Sequence, residues 1–166
     1  TNAYADSFFN PSLNASLNSH HISYYSRSNI NLSQVDIGCN TTTNATSINA
    51  RFGNISYFRI NATSAINGYI SVADTDSRAL YISNRTASNV VNGWRNSIKI
   101  ITGTRASLSL PNINMYLGAS NNISIAGFFS TKQCAFATIG TGLTDGEAVS
   151  LYNSIQAMQI TLSRNV

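Results

Sequence analysis

The stretch Thr144-Asp-Gly-Glu-Ala-Val-Ser-Leu-Tyr-Asn-Ser-Ile-Gln-Ala-Met-Gln159 is the one convincing helical pattern in a chain otherwise made of short β-rich runs and polar turns. Ala148, Leu151, Tyr152, Ile155, Met158 and Leu162 recur at helical spacing and form a single apolar stripe, which suits a helix lying against a sheet. Its start is marked by a capping box. The Thr144 hydroxyl is placed to accept from the Glu147 backbone N–H, and the Glu147 carboxylate to accept from the Thr144 N–H. Asp145 sets a negative charge at the positive end of the helix dipole. The pattern predicts a helix over residues 144–160, with Thr144, Asp145 and Glu147 as its structural cap. Asp145 and Glu147 are two of only six acidic residues, so this assignment leaves few carboxylates for acid–base chemistry.

Upstream, β-branched and aromatic runs bounded by turn residues read as strands. They are His21–Arg27, Ile55–Ile60, Gly68–Val72, Ala79–Ile82, Ile98–Ile101, Asn114–Gly118, Ile123–Phe129 and 133–139. A strand roughly every 10 to 15 residues points to an all-β antiparallel β-sandwich or barrel. Asn96-Ser97 and Asn67-Gly68 read as hairpin turns, because Asn and Gly tolerate the positive φ that tight turns demand. Pro11 and Pro111 stand where a strand would begin or a loop would end. A length of 166 residues fits one domain. The absence of an initial Met carries the expectation of a processed chain, the C-terminal part of a longer one.

Charged residues make up only 10% of the chain, against about 25% in an average protein. Polarity comes from Asn, Ser and Thr instead, which suits hydrogen-bonded contact with sugars or neighbouring subunits better than electrostatic capture. The net charge is +4, but the ten basic residues are scattered singly and form no stripe that would follow phosphates, so nucleic acid is not an expected partner. No apolar run approaches the roughly 18 residues of a membrane span, and membrane insertion is not expected. Cys39 and Cys134 allow at most one disulfide, and the sequence leaves their pairing open. Cys134 lies in an apolar run and is expected to be a small buried residue.

Few constellations suggest chemistry. Asp74-Thr-Asp76 is a weak calcium candidate, since calcium takes carboxylate and carbonyl oxygens, and a loop-capping role is the plainer reading. The adjacent histidines His20 and His21 point to opposite faces of a strand, so one is expected inside and the other in solvent. No Gly-x-Ser-x-Gly elbow accompanies them. Trp94 beside Arg95 could serve as a stacking platform for a sugar or simply pack on the sheet. Asn84, Arg85 and Tyr24 or Tyr25 are candidates for a polar rim around such a site. Eight Asn-x-Ser/Thr sequons, at Asn14, Asn31, Asn40, Asn44, Asn54, Asn61, Asn84 and Asn122, accompany a composition that generates them by chance.

The segment from Phe136 to Tyr152, followed by Ile155-Gln-Ala-Met-Gln159 and Leu162-Ser-Arg164, resembles the closing segment of concanavalin A-like (laminin-G-like) jelly-roll domains, in the version found at the C-terminus of phage tail fibre and related virion proteins. His21–Arg27, Tyr81–Ala87, Trp94–Ile101 and Met115–Ala119 fit the same pattern. The resemblance implies a two-sheet jelly roll with one C-terminal α-helix packed on it. It also implies a virion-surface, extracellular module that attaches to a host cell-surface glycan, meets other virion proteins and forms a homo-oligomer, a trimer in a fibre. The fold also hosts hydrolases that use two carboxylates on one strand. This chain has a single Glu, so a non-enzymatic module without cofactor is expected, and a ligand-free structural or decoration domain is the alternative.

Overall fold

A computed structural model describes residues 2–166. In chain order the elements are β1 (Ala5–Asp6), α1 (Pro11–Asn14), β2 (His20–Ser26), β3 (Ile37–Asn40), β4 (Asn44–Phe52), β5 (Ile55–Thr63) and β6 (Ile70–Ala73). They continue with β7 (Ala79–Ala87), β8 (Val90–Arg95), β9 (Ile98–Thr104), β10 (Tyr116–Leu117), β11 (Ser120–Asn122), β12 (Ile125–Gly127), β13 (Cys134–Gly140) and α2 (Asp145–Thr161).

The strands form two sheets packed face to face. One has five strands in the order β13-β2-β7-β8-β9, all antiparallel neighbours. The other has eight, with the order β1-β10-β3-β4-β5-β6 and β11 lying parallel to β3 and antiparallel to β12. Alternation along each strand sends one set of side chains between the sheets. Ile22, Tyr24, Tyr81 and Val91 from the five-stranded sheet meet Ile37, Ile48, Phe58, Ile60 and Ile70 from the eight-stranded one in a single core. Gly93 is needed here. A Cβ at that position would stand 2.6 Å from the Phe58 ring.

The opposite set on the five-stranded sheet is apolar too. Tyr25, Leu80, Ile82 and Trp94 form a second cluster with Ala148 and Ile155 of α2. The helix therefore seals that outer face. It begins as the sequence predicts: Glu147 N donates to Thr144 Oγ1 at 3.3 Å, and Thr144 N donates to Glu147 Oε2 at 2.7 Å. Asp145 lies in the first turn and also receives Lys99 Nζ at 2.6 Å. The stripe ends early, because the helix stops at Thr161 and Leu162 is half exposed, while Gln159 takes a buried place.

Several local expectations are corrected. Strands β3 and β4 lie in a region that reads as loop, because Asn, Ser and Thr there hide the alternation. Gly53 and Asn54, with φ of 60° and 61°, form the tight turn joining β4 to β5. Asn96, with φ 56°, makes the expected hairpin turn, but Asn67-Gly68 lies in a 3-10 turn over Ile66–Gly68. Gly68 is required there by close packing, since a Cβ would overlap the Thr63 carbonyl oxygen. Pro11 opens the short helix α1, where its missing N–H costs nothing. Cys134 is exposed at the start of β13, whereas Cys39 is buried, and both are free thiols.

His20 and His21 do point to opposite faces, yet both are buried, because both faces of β2 are covered. His20 stacks on Phe9, with ring centroids 5.8 Å apart, and Nδ1 lies 3.4 Å from Asn61 Oδ1. His21 places Nδ1 2.5 Å from the Thr141 carbonyl and Nε2 3.0 Å from Thr138 Oγ1. The carbonyl requires a donor, so Nδ1 carries a proton, and burial, which lowers the His21 pKa, favours the neutral ring with Nε2 accepting.

Candidate functional site on the open sheet face

The outer face of the eight-stranded sheet is polar and aromatic. With Ile48, Ala50, Phe58 and Ile60 turned inward, alternation turns Ser47, Asn49, Tyr57 and Arg59 outward. Register places Gly38, Ser47 and Arg59 in one cross-strand row and Asn49, Tyr57 and Ser71 in the next. These residues line or flank a cavity of about 270 Å³.

Arg59 lines that cavity and is only 4% exposed. Its Nη1 donates to the Ser64 carbonyl at 2.8 Å and the Thr63 carbonyl at 3.3 Å, and its Nη2 donates to the Tyr69 hydroxyl at 2.9 Å and Ser47 Oγ at 3.3 Å. The guanidinium carbon lies 4.0 Å from the centre of the Tyr69 ring. Burial lowers the Arg59 pKa, and the Tyr69 ring and hydroxyl offset part of that cost. Tyr57 meets Tyr69 edge-on at 5.5 Å and Phe52 at 6.3 Å, giving a row of three rings along the face.

Three shielded polar atoms on lining residues have no protein partner: Arg59 Nε, Asn49 Oδ1 and Asn40 Oδ1. Such atoms cost free energy unless something else satisfies them. The rim is apolar. Phe52 stands beside the β4–β5 turn, Ile66 on the 3-10 turn and Phe128 before β13, and all three are exposed. The Phe128 segment is held by its carbonyl accepting from Val35 N at 2.8 Å. A fully buried ion pair fixes it further, with Lys132 Nζ 3.3 Å from Asp36 and Ser130 Oγ donating to the same carboxylate at 2.5 Å.

The residues singled out in the sequence as glycan contacts lie on the other sheet, in separate settings. Trp94 is 3% exposed and packs beneath α2. Tyr24 is in the inter-sheet core, its hydroxyl donating to the Lys132 carbonyl at 3.3 Å, and Tyr25 is under the helix, where its hydroxyl donates to Gln156 Oε1. Asn84 grips the approach to α2 through both backbone groups of Leu143. Arg85 is completely buried, donating to the carbonyls of Ile60, Ala87, Ser88 and Arg105, and burial lowers its pKa to about 10. The expectation of a shared polar rim is thus corrected: these side chains are consumed by packing and backbone ties. Arg95 donates to the Tyr81 hydroxyl and the Asp76 carbonyl, and lies 3.8 Å from Asp74.

Asp74 and Asp76 are likewise occupied. Asp74 accepts from Ser56 and Tyr81, both at 2.6 Å, and from Asp76 N at 3.0 Å. Asp76 is paired with Arg78 at 2.8 Å, and hydrogen bonds from Arg78 lower its pKa to about 2. Their partners are donors of the protein itself, which supports the loop-capping reading over calcium. Among the described residues no three His, Cys, Asp or Glu side chains gather as a metal site, and no helix is long and apolar enough to cross a membrane.

No protein-family model matches the chain, and comparison with curated proteins finds no relative by sequence. Solved structures do match. The K499G mutant of NanB sialidase from Streptococcus pneumoniae aligns with a TM-score of 0.63 and 17% identity over 90% of this chain and 26% of the sialidase. The Ruminococcus gnavus IT-sialidase CBM40, bound to alpha2,3 sialyllactose, aligns with a TM-score of 0.54 and 12% identity over 81% of both chains. Domain 4 of AbnA, a GH43 extracellular arabinanase from Geobacillus stearothermophilus in complex with arabinotriose, aligns with a TM-score of 0.50 and 12% identity over 81% of this chain and 66% of that domain. The chain shares their β-sandwich fold. It spans about a quarter of the NanB chain.

Proposed function

We propose that this domain is a non-enzymatic glycan-binding module whose site is the open face of the eight-stranded sheet. The observation that carries this reading is the cavity walled by the Tyr57–Tyr69 aromatic row together with the side chains of Arg59, Asn49 and Asn40. Sugar rings offer an apolar face for stacking and hydroxyls that both donate and accept, which matches this mixture. The fold is compatible, since two structures that share it hold glycans. No Asp or Glu lines the cavity, so binding without turnover is the chemistry it supports.

The finer reading is attachment of a phage tail fibre to a host cell-surface glycan, with the domain displayed on a virion surface beside other virion proteins. It rests on the resemblance of the Phe136–Tyr152 segment. In a homotrimer, weak sites would be strengthened by avidity, by roughly two to four orders of magnitude.

A glycan array probed with the domain as a multimer tests the proposal. The wild type is expected to retain a defined subset of glycans. Tyr57→Ala, which removes the central ring of the open face, is expected to lose them without losing its fold. A multimer that adsorbs to no glycan would defeat the proposal and favour a purely structural domain.

A further inference from the structure

We propose that Lys132 and Asp36 are positioning residues for the open-face cavity: their buried ion pair docks residues 128–132 on β3 and β4 and so sets Phe128 in the cavity wall. The ligand part of this proposal rests on the glycan-binding reading above, and the docking part is testable without ligand. Residues 128–133 lie between β12 and β13 and belong to neither. One isolated parallel bridge, Val35 with Phe129, joins them to the neighbouring sheet. Little strand pairing holds the segment, so side chains must. Phe128 has a φ of 53°, a left-handed conformation costly for a residue with a Cβ, and it is 56% exposed. Burial of so exposed a ring offsets little of that cost, and the surroundings must impose the conformation.

Those surroundings converge on the Asp36 carboxylate. It accepts from Ser130 Oγ at 2.5 Å, lies 3.3 Å from Lys132 Nζ, and accepts from Ala50 N of β4 at 2.7 Å. Gln34 repeats the tie. Its side chain accepts from Thr131 N at 3.1 Å and donates to Thr131 Oγ1 at 2.8 Å, while its carbonyl accepts from Asn49 Nδ2 at 2.5 Å. Asn49 and Phe128 both line the cavity, so the network joins two parts of its wall that are distant in sequence. A buried ion pair is often no more stable than an apolar pair of like volume, and its contribution here is therefore assigned to geometry.

Asp36→Asn combined with Lys132→Met removes both charges while keeping an acceptor for Ala50 N and the volume of the lysine stem. Hydrogen exchange of the unliganded protein reads the docking. Val35 N–H, which donates to the Phe128 carbonyl, and Ser130 N–H, which donates to the Gly118 carbonyl, are expected to exchange at least about tenfold faster, with the amides of the β4–β5 ladder unchanged. Affinity for a glycan found on the array is expected to fall by about tenfold. The same substitutions made in Phe128→Ala should cause no further loss, since the pair acts through that residue. Ser130→Ala breaks the network more mildly, should move Val35 exchange and affinity in the same direction, and serves if the double variant does not fold. Unchanged Val35 and Ser130 exchange in a folded variant, or equal acceleration of every amide, would overturn the docking role. Faster exchange with unaltered affinity would overturn the ligand role and leave glycan binding standing. A wild type that binds no glycan would overturn the glycan reading and the ligand role together, and exchange would still decide the docking.

Discussion

On the five-stranded sheet Tyr25, Leu80, Ile82 and Trp94 face outward and are covered by Ala148 and Ile155 of α2. On the eight-stranded sheet Asn49, Tyr57 and Arg59 face outward, and a cavity stands over them with Phe52, Ile66 and Phe128 at its rim. The two faces have the same backbone geometry and opposite chemistry. Apolar outward residues require a cover, and the chain supplies one in α2. Polar and aromatic outward residues remain stable in water, and the chain keeps them open. The helix thus seals the apolar outer face and leaves the polar, aromatic one exposed.

Breaking the cover should have the largest effect. Ile155 is 3% exposed, so Ile155→Ala removes buried methylenes and leaves a cavity under the helix. A loss of about 2 to 5 kcal/mol is expected in denaturant unfolding. Glycan affinity of the folded fraction should stay unchanged. A variant that keeps its stability but loses binding would mean that the sealed face carries the ligand.

Acid separates the faces in a second way, with a slightly smaller effect. Burial lowers the His20 pKa from 6.5 to about 4, and lowers that of His21 in the same direction. The folded state resists protonation of both, so the unfolded chain takes up protons at higher pH. Stability is therefore full above about pH 6.5 and falls as pH drops toward 4, by about 3 kcal/mol for His20 alone. No carboxylate or histidine lines the open cavity, so affinity should stay level over that window. His20→Gln or His20→Asn should flatten the stability profile and leave binding as it was. A profile that is flat in the wild type would contradict the role given to His20.

The sealed face was the more legible of the two. Residues 144–159 combine an apolar period with a capping box, and both signals are local, so the helix and its cap stand in the sequence almost as in the fold. The strand around Tyr57 and Arg59 was legible as well, since Ile55–Ile60 is rich in β-branched and aromatic residues and bounded by turn residues. The site itself was not. Asn49 lies on a strand written in Asn, Ser and Thr, and Asn40 joins the face through the pairing of β3 with β4 and β11. Gly53-Asn54 between Phe52 and Ile55 is the hairpin signal that would have brought Asn49 opposite Tyr57. Trp94, Asn84 and Arg85 misled in the opposite direction. Aromatic, amide and guanidinium groups suit a sugar site, but the same groups also suit packing and the capping of buried carbonyls. Burial decides between these roles, and burial is set by α2 and by strands distant in sequence.

The central claim is that ligand sits on the open face, and backbone chemical-shift mapping tests it most directly. The ¹⁵N-labelled domain would be titrated with the tightest-binding oligosaccharide from the array. Shifts are predicted to cluster at Asn40, Asn49, Tyr57 and Arg59 and on the rim near Ile66 and Phe128, with α2 and Trp94 unmoved. Shifts centred on Trp94, Arg95 or α2 would contradict the account.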